Sequence, residues 1–366
     1  MKIVSVYNIA PIYRKGIFNL LDRNYSCDWF FGEAQSGIKQ MKPEDFLGKV
    51  TIVENSKILG GKAYWQKRVI RCVFKPYTHY LFLGDERCIS TWISILILRF
   101  MPHKKVYFWS HGVYGRESIF KQMIQKVFYS LVDGTFLYGN YARNLMIKRG
   151  YKSDELFVVH NSLDYDHQMQ LRTSVLPSGL YEKHFGNNHP VIIMIGRLNR
   201  RKNLDFLIDA VNNLRTKRLL VNVVFIGDGE DRDVLERKVC TLGLTDQFWF
   251  YGSCYNEKEN AGLISNADLC VVPGYIGLTA IHSLMYGVPV ITHNCFKFQG
   301  PEFEAITPGI TGDFYEYGSV ESLTLTIQNW FCKVVSREEI RRACYSEVDH
   351  NWTPMFQYSV FNSVIK

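Results

Sequence analysis

Short apolar segments alternate with amphipathic segments along nearly the whole chain, and this alternation limits the folds open to it. The apolar runs end in small or polar residues, as in "KIVSVYN", "YLFLGD" and "GTFLYGN" early on and "PVIIMIGR", "NVVFIGDG" and "GVPVITHN" later. Helical patterns such as "NLDFLIDAVNNLRTK" lie between several of them. Repeated alternation of strand and helix predicts parallel sheets covered by helices.

The alternation falls into two blocks, which a polar and weakly patterned stretch at 166–189 separates. A chain of 366 residues is long enough for two domains of ordinary size. We therefore predict an α/β protein with one Rossmann-like, doubly wound domain at 1–170 and a second at 185–345. Two such domains would face each other across a central cleft, with ligands at the carboxyl ends of the strands.

Cysteine usage and hydropathy indicate a cytoplasmic protein. The nine cysteines include no C-x-x-C pair, and an odd number cannot all pair internally, so we expect reduced thiols. No apolar run is long enough to cross a bilayer. The first residues, "MKIVSVYNIAPIYRKG", lack the long apolar stretch of a signal peptide and are better explained as a strand and loop.

Charge is unevenly distributed between the two halves. Residues 1–180 hold 25 Lys and Arg against 14 Asp and Glu, whereas residues 181–366 hold 18 against 21. A basic half beside a mildly acidic half indicates that the first half meets something anionic. A phosphate-bearing substrate and an anionic membrane both fit, and a basic surface without a partner is the alternative. We do not expect nucleic acid, because no recognition module is visible.

Two turns in the second half have the composition of phosphate-binding loops. In "IGRLNRRKN" a strand ends at Gly196, Arg197 follows, and Lys202 comes near a helix start, so charge flanks a turn with an accessible backbone. In "GLTAIHSLMYG" a helix begins at about Leu278, after Gly277, and Thr279 adds a hydroxyl group. A strand–helix turn that needs glycine only for its geometry is the alternative.

Two further loops lack a complete dinucleotide motif. "FIGDGEDR", which contains Gly227, has the spacing G-x-G-x-x-R and so misses the third glycine of that fingerprint. We expect a tight loop there and not a nicotinamide site. The backbone of "YGSCYNEKE", around Cys254, could meet a nucleobase.

Taken together, these segments resemble the donor-binding domain of family 4 glycosyltransferases, which have the GT-B fold. The matching pieces are "GRLNRRKN", "FIGDGE", "FYGS", "ADLCVVPG", "GLTAIHSLMYGVPVIT", "PEFEAI" and "GITGDFY", in the family's order. The first half is similar more loosely, through "YR" at Tyr13 and Arg14, "WSHG" and "VVHNSLD". The last helix, assigned to 346–366, resembles the one that crosses back onto the first domain in this fold.

The resemblance implies a retaining enzyme that uses a nucleotide-diphosphate-sugar and needs no metal or other cofactor. It assigns the donor diphosphate to Arg197 and Lys202, which we predict to be catalytic, with the loops at Gly196, Gly227, Cys254 and Gly277–Thr279 as the donor site. The protein would hold two substrates and neutralise charge on the departing diphosphate.

The chain departs from the family at a pair of glutamates separated by seven residues. Gly274 and His282 occupy these positions. The second glutamate usually holds the ribose, and His282 can still form a hydrogen bond there. The first usually touches the sugar, and Gly274 cannot, so sugar contacts must differ or come from the backbone. Neither glutamate is the family's agreed general base, so their loss does not by itself remove the chemistry.

The resemblance also suggests residues near the transferred sugar and the acceptor. His111, in "FWSHGVYG", matches a histidine that approaches the sugar, and a structural histidine bonded to a backbone carbonyl is the alternative. Glu302 matches an acid near the sugar, with Glu304 in reserve and a surface acid as the alternative. Tyr13 and Arg14 are the predicted acceptor-binding residues.

The acceptor itself is less constrained by the sequence. The segment 116–131 places Ile119, Met123, Val127 and Ser130 on one helical stripe, which we interpret as the buried side of a core helix with a basic outer edge. The alternative is a helix that lies on an anionic membrane. The segment 66–77 is also basic and contains aromatic residues, which supports contact with an anionic lipid. We therefore expect a glycan or lipid-linked acceptor and peripheral contact with the inner face of the membrane.

We therefore predict a hexosyltransferase that builds a surface polysaccharide such as capsule, O-antigen or lipopolysaccharide. Two other functions stay open. A nucleotide-sugar epimerase shares the two-domain fold but needs no acceptor. A non-catalytic subunit that scaffolds a partner transferase would explain the substitutions at Gly274 and His282, although it would have no use for the retained Arg197 and Lys202.

Overall fold

A computed structural model describes residues 1–33, 39–175 and 178–365. The chain forms two compact units. The amino-terminal unit comprises residues 1–164 and 353–366, and the carboxyl-terminal unit comprises residues 165–352. The predicted linker stretch is therefore part of the carboxyl-terminal unit, where its described residues include two helices.

The amino-terminal unit is built on a parallel sheet with helices between its strands. Its strands are β1 (Lys2–Tyr7), β2 (Ser26–Gly32), β3 (Val50–Val53), β4 (Asn55–Ile58), β5 (Ala63–Gln66), β6 (His79–Leu83), β7 (Lys105–Ser110), β8 (Gly134–Leu137) and β9 (Leu156–Val158). Its first helices are α1 (Lys15–Asn24), α2 (Ile89–Leu98), α3 (Ile119–Ser130) and α4 (Asn140–Lys148). Seven strands form one sheet in the order β3-β2-β1-β6-β7-β8-β9, and β4 and β5 form a separate antiparallel hairpin.

The carboxyl-terminal unit repeats this plan with a smaller sheet. Its helices are α5 (Tyr165–Ser174), α6 (Leu180–Phe185), α7 (Leu204–Thr216), α8 (Arg232–Thr241), α9 (Glu257–Asn266), α10 (Thr279–Met285), α11 (Val320–Phe331) and α12 (Arg337–Asn351). Its strands are β10 (Val191–Ile195), β11 (Asn222–Ile226), β12 (Phe248–Gly252), β13 (Leu269–Val271), β14 (Val290–His293) and β15 (Gly312–Tyr315). They pair in parallel in the order β12-β11-β10-β13-β14-β15.

Both sheets have the strand order of a doubly wound fold. The order reverses between β1 and β6 in the first sheet and between β10 and β13 in the second. Every residue of β10 and β11 is buried, as expected for strands that helices cover on both faces. Crevices form at the carboxyl ends of the strands where such an order reverses. The fold therefore marks one ligand-binding edge in each unit.

After α12 the chain returns to the amino-terminal unit as α13 (Pro354–Val364). Thr353 caps this helix and Pro354 occupies its first turn, which explains why a new helix begins here. Phe361 is fully buried against Trp109 and Phe136, with ring centroids 4.9 and 4.2 Å away. The predicted return of the last helix is confirmed, but it begins later than the predicted 346–366 because residues 346–351 belong to α12.

The structure contradicts the interpretation of α3 as a core helix with its apolar stripe inward. Ile119, Met123 and Val127 are 79%, 64% and 56% exposed, and Ser130 is exposed as well. The buried side of α3 instead carries Gln125, Phe128 and Tyr129. Phe128 packs on the rings of Phe108 in β7 and Trp92 in α2. Because this side of α3 supplies the apolar contact with the core, the stripe that contains Ile119, Met123 and Val127 faces away from it.

Candidate functional site

The predicted donor loops meet at the point of the carboxyl-terminal sheet where the strand order reverses. Gly196 follows β10 directly, and Gly274 lies just beyond β13. The backbone N–H groups of Gly274 and Tyr275 donate to the carbonyls of Lys202 and Arg201, at 2.7 and 2.8 Å. The two predicted phosphate turns are therefore one hydrogen-bonded assembly.

Glycines in this assembly allow backbone segments to touch. A Cβ atom on Gly227 would lie 1.9 Å from the Gly196 carbonyl oxygen, and one on Gly229 would lie 2.2 Å from that of Leu198. Both distances are far below a tolerable contact, so these positions admit no side chain. The spacing of "GDG" thus fits loop packing beside β10, in agreement with the tight loop expected there.

Lys202 is a mostly buried cation in this site. It closes a short 3-10 turn, Arg200–Lys202, and its ammonium group donates to the Ile276 carbonyl at 3.2 Å. Within the described ranges no carboxylate lies within ion-pair distance of its Nζ atom. Burial lowers the pKa of Lys202 to about 8, while the charge of Glu302 acts in the opposite direction. An anion would stabilise the charged form.

Arg197 and the start of α10 border the same region. Arg197 is exposed and forms no ion pair among the residues described. Gly277 has a φ of +59°, Leu278 caps α10, and α10 begins at Thr279. The Thr279 hydroxyl donates to the Ile195 carbonyl at 3.0 Å, which ties α10 to the end of β10. The hydroxyl proton is engaged in this hydrogen bond, and a contact between Thr279 and a phosphate stays a prediction.

Gly274 is buried in close contact with the lysine turn. A Cβ atom there would lie 2.1 Å from the Arg201 carbonyl oxygen and 2.6 Å from the carbonyl carbon of Lys202. A glutamate at this position would therefore displace the turn that carries Lys202. The missing side chain at Gly274 is a consequence of how this turn packs.

His282 is paired with a carboxylate that the sequence analysis did not single out. Its Nε2 atom lies 2.8 Å from Oε1 of Glu257, the first residue of α9. Tyr286 and Gln168 donate to the same oxygen, at 2.7 and 2.8 Å. Burial alone would raise the pKa of Glu257, but these hydrogen bonds and the histidine lower it to about 2. A carboxylate thus lies next to the position where the family carries one.

The remaining predicted donor residues differ in their burial and contacts. Glu302 is buried in a short helical segment, Pro301–Ala305, and Glu304 is half-buried. A Cβ atom on Gly300 would lie 2.7 Å from a Glu302 carboxylate oxygen and 3.1 Å from the Gly277 Cα atom, so Glu302 belongs to this assembly and is not a surface acid. The Cys254 carbonyl already accepts a hydrogen bond from Asn260 at 3.4 Å.

The amino-terminal unit has its own cavity, of about 420 Å³, which His111, Tyr13 and Arg14 line. Burial and the charge of Arg14 lower the pKa of His111 to about 4. Its Nδ1 atom is buried and has no hydrogen-bond partner in the part of the chain that the structure describes. Nδ1 therefore forms no hydrogen bond to a backbone carbonyl in that part of the chain.

A comparison with known families gave a match over the segment that contains the predicted donor loops. Residues 182–346 match the family described as "Glycosyl transferases group 1". This matched segment is 165 of the chain's 366 residues, which is less than half of its length. It includes Gly196, Arg197, Lys202 and the segment from Gly274 to His282.

Curated relatives match over limited lengths of the chain. A protein of Klebsiella pneumoniae described as an uncharacterised 41.2 kDa protein in the cps region is 25% identical over 52% of this chain and 49% of its own length. A GDP-mannose-dependent phosphatidylinositol dimannoside mannosyltransferase of Mycobacterium tuberculosis is 33% identical over 28% of this chain and 26% of its own. The chain thus spans about half, or less, of these relatives.

Several solved structures match the whole chain. Anabaena HepE in complex with UDP superposes with a TM-score of 0.74 at 16% identity, covering 100% of both chains. A glycosyltransferase from Rickettsia africae gives 0.75 at 17% identity over 100% of this chain and 99% of its own. The lipopolysaccharide outer core galactosyltransferase WaaB gives 0.73 at 15% over 100% and 99%. The fold is GT-B.

The residues that sequence reasoning missed are those contributed by distant segments. Glu257 lies in the quoted stretch "YNEKE", but nothing local indicates that it reaches His282. The partners of Arg14 in the amino-terminal cavity, Tyr7 and Tyr138, lie at the carboxyl ends of β1 and β8. Their position after strands of a doubly wound domain is the one signal that could have suggested them.

The described residues contain neither a membrane-spanning helix nor a cluster of metal-ligating side chains. No helix in these ranges is long and apolar enough to traverse a lipid bilayer. No three His, Cys, Asp or Glu side chains within the same ranges are grouped closely enough to hold a metal ion.

Proposed function

We propose that the chain is a retaining, metal-independent family 4 glycosyltransferase of the hexosyltransferase type. It moves a sugar from a nucleotide-diphosphate-sugar to a glycan or lipid-linked acceptor in the synthesis of a surface polysaccharide. The observation that carries the proposal is the mostly buried ammonium group of Lys202, which has no carboxylate partner within the described ranges. It lies among glycine-lined turns of the segment that matches the glycosyltransferase group 1 family.

The charge of Lys202 explains why a diphosphate is the expected ligand. A buried cation without a carboxylate at ion-pair distance is costly, so such groups are usually paired or bind an anion. Arg197, exposed after the same strand, adds a second cation from the turn that begins at Gly196. Lys202 and Arg197 would then stabilise the negative charge that develops on the departing diphosphate.

The reaction follows from these roles. The bond between the anomeric carbon and the diphosphate oxygen breaks, and an acceptor hydroxyl attacks from the same face. Its proton passes to the departing diphosphate, so atoms and charges balance without a protein nucleophile. His111 is neutral near pH 7, because its pKa is about 4, and it offers a hydrogen bond to the sugar without adding a charge.

Relatives support the cellular setting. One curated relative is a protein of the cps region. One similar solved structure is a lipopolysaccharide outer core galactosyltransferase. The exposed stripe on α3 and the net charge of the amino-terminal unit, +12 from 25 basic and 13 acidic residues, support peripheral contact with an anionic membrane. HepE has been solved with UDP and with UDP-glucose, so we propose a uridine nucleotide as the first donor to test.

Nucleotide binding tests the proposal directly. Calorimetric titration with UDP, GDP, ADP, dTDP and CMP, with and without Mg²⁺, should show one preferred diphosphate and no need for the metal. Lys202→Ala should weaken that binding by about 10- to 100-fold, the usual range for a lost charge-assisted hydrogen bond. The matched control is Lys183→Ala, which removes an exposed lysine of α6.

Two results would count against the proposal. If no nucleotide binds to the folded wild-type protein, the scaffold function becomes the better explanation. If Lys202→Ala binds as tightly as Lys183→Ala, the diphosphate does not lie at Lys202 and the site assignment fails.

A further inference from the structure

The cavity of the amino-terminal unit lies where that sheet reverses its strand order. Its wall includes Tyr7 and Asn8 at the end of β1, Gly84 after β6, and His111 after β7. This is the equivalent edge to the donor assembly of the other unit, and ligands bind at such edges. A volume of about 420 Å³ is sufficient for a sugar-sized group.

Arg14 is the buried cation of this cavity. It is 6% exposed, and its guanidinium donates to the Tyr7 hydroxyl at 2.9 Å and to the Tyr138 hydroxyl. It also lies 4.9 Å from the Trp109 ring centroid. Two phenols use two of its five N–H groups, and its Nε atom has no partner in the described part of the chain.

Among the described residues no carboxylate neutralises Arg14. The described part of the cavity wall contains two acids, and each already has a cation: Asp85 pairs with Arg87 at 2.8 Å and Glu86 with Lys121 at 2.9 Å. Arg14 occurs in no ion pair among the residues described. With His111 neutral, the wall therefore carries one excess positive charge, and that charge is on Arg14.

We propose that this cavity binds an oxyanion of the acceptor, phosphate or carboxylate, with Arg14 as its counter-charge and His111 as a neutral hydrogen-bonding neighbour. The proposal deepens the proposed function and rests on it, because it assigns a substrate class to the acceptor site. A neutral sugar would leave the excess charge unpaired. An acceptor with an anionic group neutralises the charge of Arg14, as the carboxylate of a salt bridge does for other buried arginines.

The competing explanation is that Arg14 only cross-links the aromatic side chains around it. Faces of Tyr7, Trp109 and Tyr138 can offset part of the cost of a buried cation. In that case Arg14 would matter for stability and not for ligand selection. A binding measurement that compares charged with neutral ligands separates the two explanations.

The test is calorimetric titration with glucose 1-phosphate, inorganic phosphate, glucuronate and glucose, all in the Lys202→Ala background so that the donor assembly does not bind the probes. We expect the oxyanions to bind at least tenfold more tightly than glucose. Arg14→Met should weaken their binding by about 10- to 100-fold. The matched control is Arg23→Met, which removes an exposed arginine of α1.

A second variant covers the case in which Arg14→Met does not fold. Asn8→Asp places a carboxylate in the cavity wall with almost no change in shape, and Asn8 is only partly buried. It should weaken oxyanion binding severalfold and leave glucose unaffected. Equal affinity for oxyanions and glucose in the wild-type cavity, or unchanged oxyanion affinity in both variants, overturns the proposal.

Further arms identify the source of the oxyanion and keep the two proposals apart. Vesicles containing phosphatidic acid that displace glucose 1-phosphate in an Arg14-dependent way indicate a lipid phosphate, and displacement by glucuronate alone indicates a glycan carboxylate. The same five nucleotides are titrated into the wild-type protein in parallel. Normal binding of one of them with no oxyanion preference rejects only the oxyanion proposal, whereas no binding of any nucleotide rejects the proposed function.

Discussion

At the scale of single residues, Lys202 gives nucleotide binding a pH dependence. Burial holds its pKa at about 8 in the ligand-free protein, below the usual value for lysine, and a bound diphosphate favours the charged form. Above pH 8, binding of UDP therefore requires Lys202 to take up a proton, and the affinity for UDP should fall as pH rises. Between pH 7.5 and 9.5 we expect a loss of about 10- to 20-fold, measured by calorimetry.

Substitution at the same position checks the cause of this pH dependence. Lys202→Arg keeps a charge throughout this range and should give a nearly flat profile, and Lys202→Ala should bind weakly at every pH. A profile that stays unchanged in Lys202→Arg would assign the titration to another group. Because the unfolded chain binds more protons than the folded one between pH 8 and the ordinary lysine pKa, stability of the ligand-free protein should rise across that window.

Gly274 yields a second prediction at this scale. Gly274→Ala should destabilise the protein by about 1–3 kcal/mol, because its Cβ atom would meet the Arg201 carbonyl at 2.1 Å. It should also weaken UDP binding by shifting the lysine turn. Urea denaturation measures the first effect and calorimetry the second.

The control for Gly274→Ala is Gly262→Ala in α9, where an added Cβ meets nothing within 4 Å. This change should be neutral or stabilise the protein by about 0.5–1 kcal/mol. Gly274→Glu, which restores the family residue, should be worse than Gly274→Ala. A gain of stability or of UDP affinity in Gly274→Glu would contradict the packing described here.

Single residues also mark the limit of sequence reasoning. Gly196, Arg197 and Lys202 could be predicted because their roles follow from one short turn after one strand. Glu257 could not, because its partner His282 is 25 residues away in sequence and the two meet only through the packing of α9 and α10. The hydrogen bond of the Thr279 hydroxyl could not be predicted for a similar reason, since its acceptor is the end of another strand.

At the scale of elements, α3 shows how a periodic pattern can identify a helix and still assign the wrong face to the core. Apolar residues occupy two of its faces, and periodicity alone does not say which one is covered. The structure buries Phe128 and leaves Ile119, Phe120, Met123 and Val127 exposed. An exposed apolar stripe on a basic unit is typical of a membrane-surface helix.

Membrane contact through α3 can be tested with two substitutions on its outer face. Phe120→Ser with Met123→Ser should lower the affinity for vesicles containing phosphatidylglycerol by tenfold or more, because each apolar side chain contributes about 1.5–3 kcal/mol when buried. Vesicle co-sedimentation at low and high salt measures it. The control, Val234→Ser, removes an exposed apolar residue of α8 and should bind as the wild type does. Equal binding by both variants would exclude α3 as the contact.

At the scale of the whole molecule, the sequence predicted both doubly wound units because strand–helix alternation is a local pattern repeated many times. The strand orders agree with that prediction, and the positions where they reverse mark the ligand-binding edge of each unit. The unit boundaries were harder to place, because polar helices such as α5 have a weak apolar pattern and were taken for a linker. The polar composition of such a helix does not indicate whether it packs on the unit that precedes it in the sequence or on the unit that follows it.

The return of the chain as α13 gives a prediction about the stability of each unit. Phe361 fills a ring cluster with Trp109 and Phe136, so Phe361→Ala should destabilise the amino-terminal unit by about 3–5 kcal/mol. Hydrogen exchange followed by mass spectrometry should show lost protection in β7 and β8 with little change in β10 and β11. Met355→Ala, at an exposed position of the same helix, is the control and should change neither. Equal loss of protection in β10 and β11 would mean that the two units unfold as one, and that the core around Phe361 supports more than the unit that contains it.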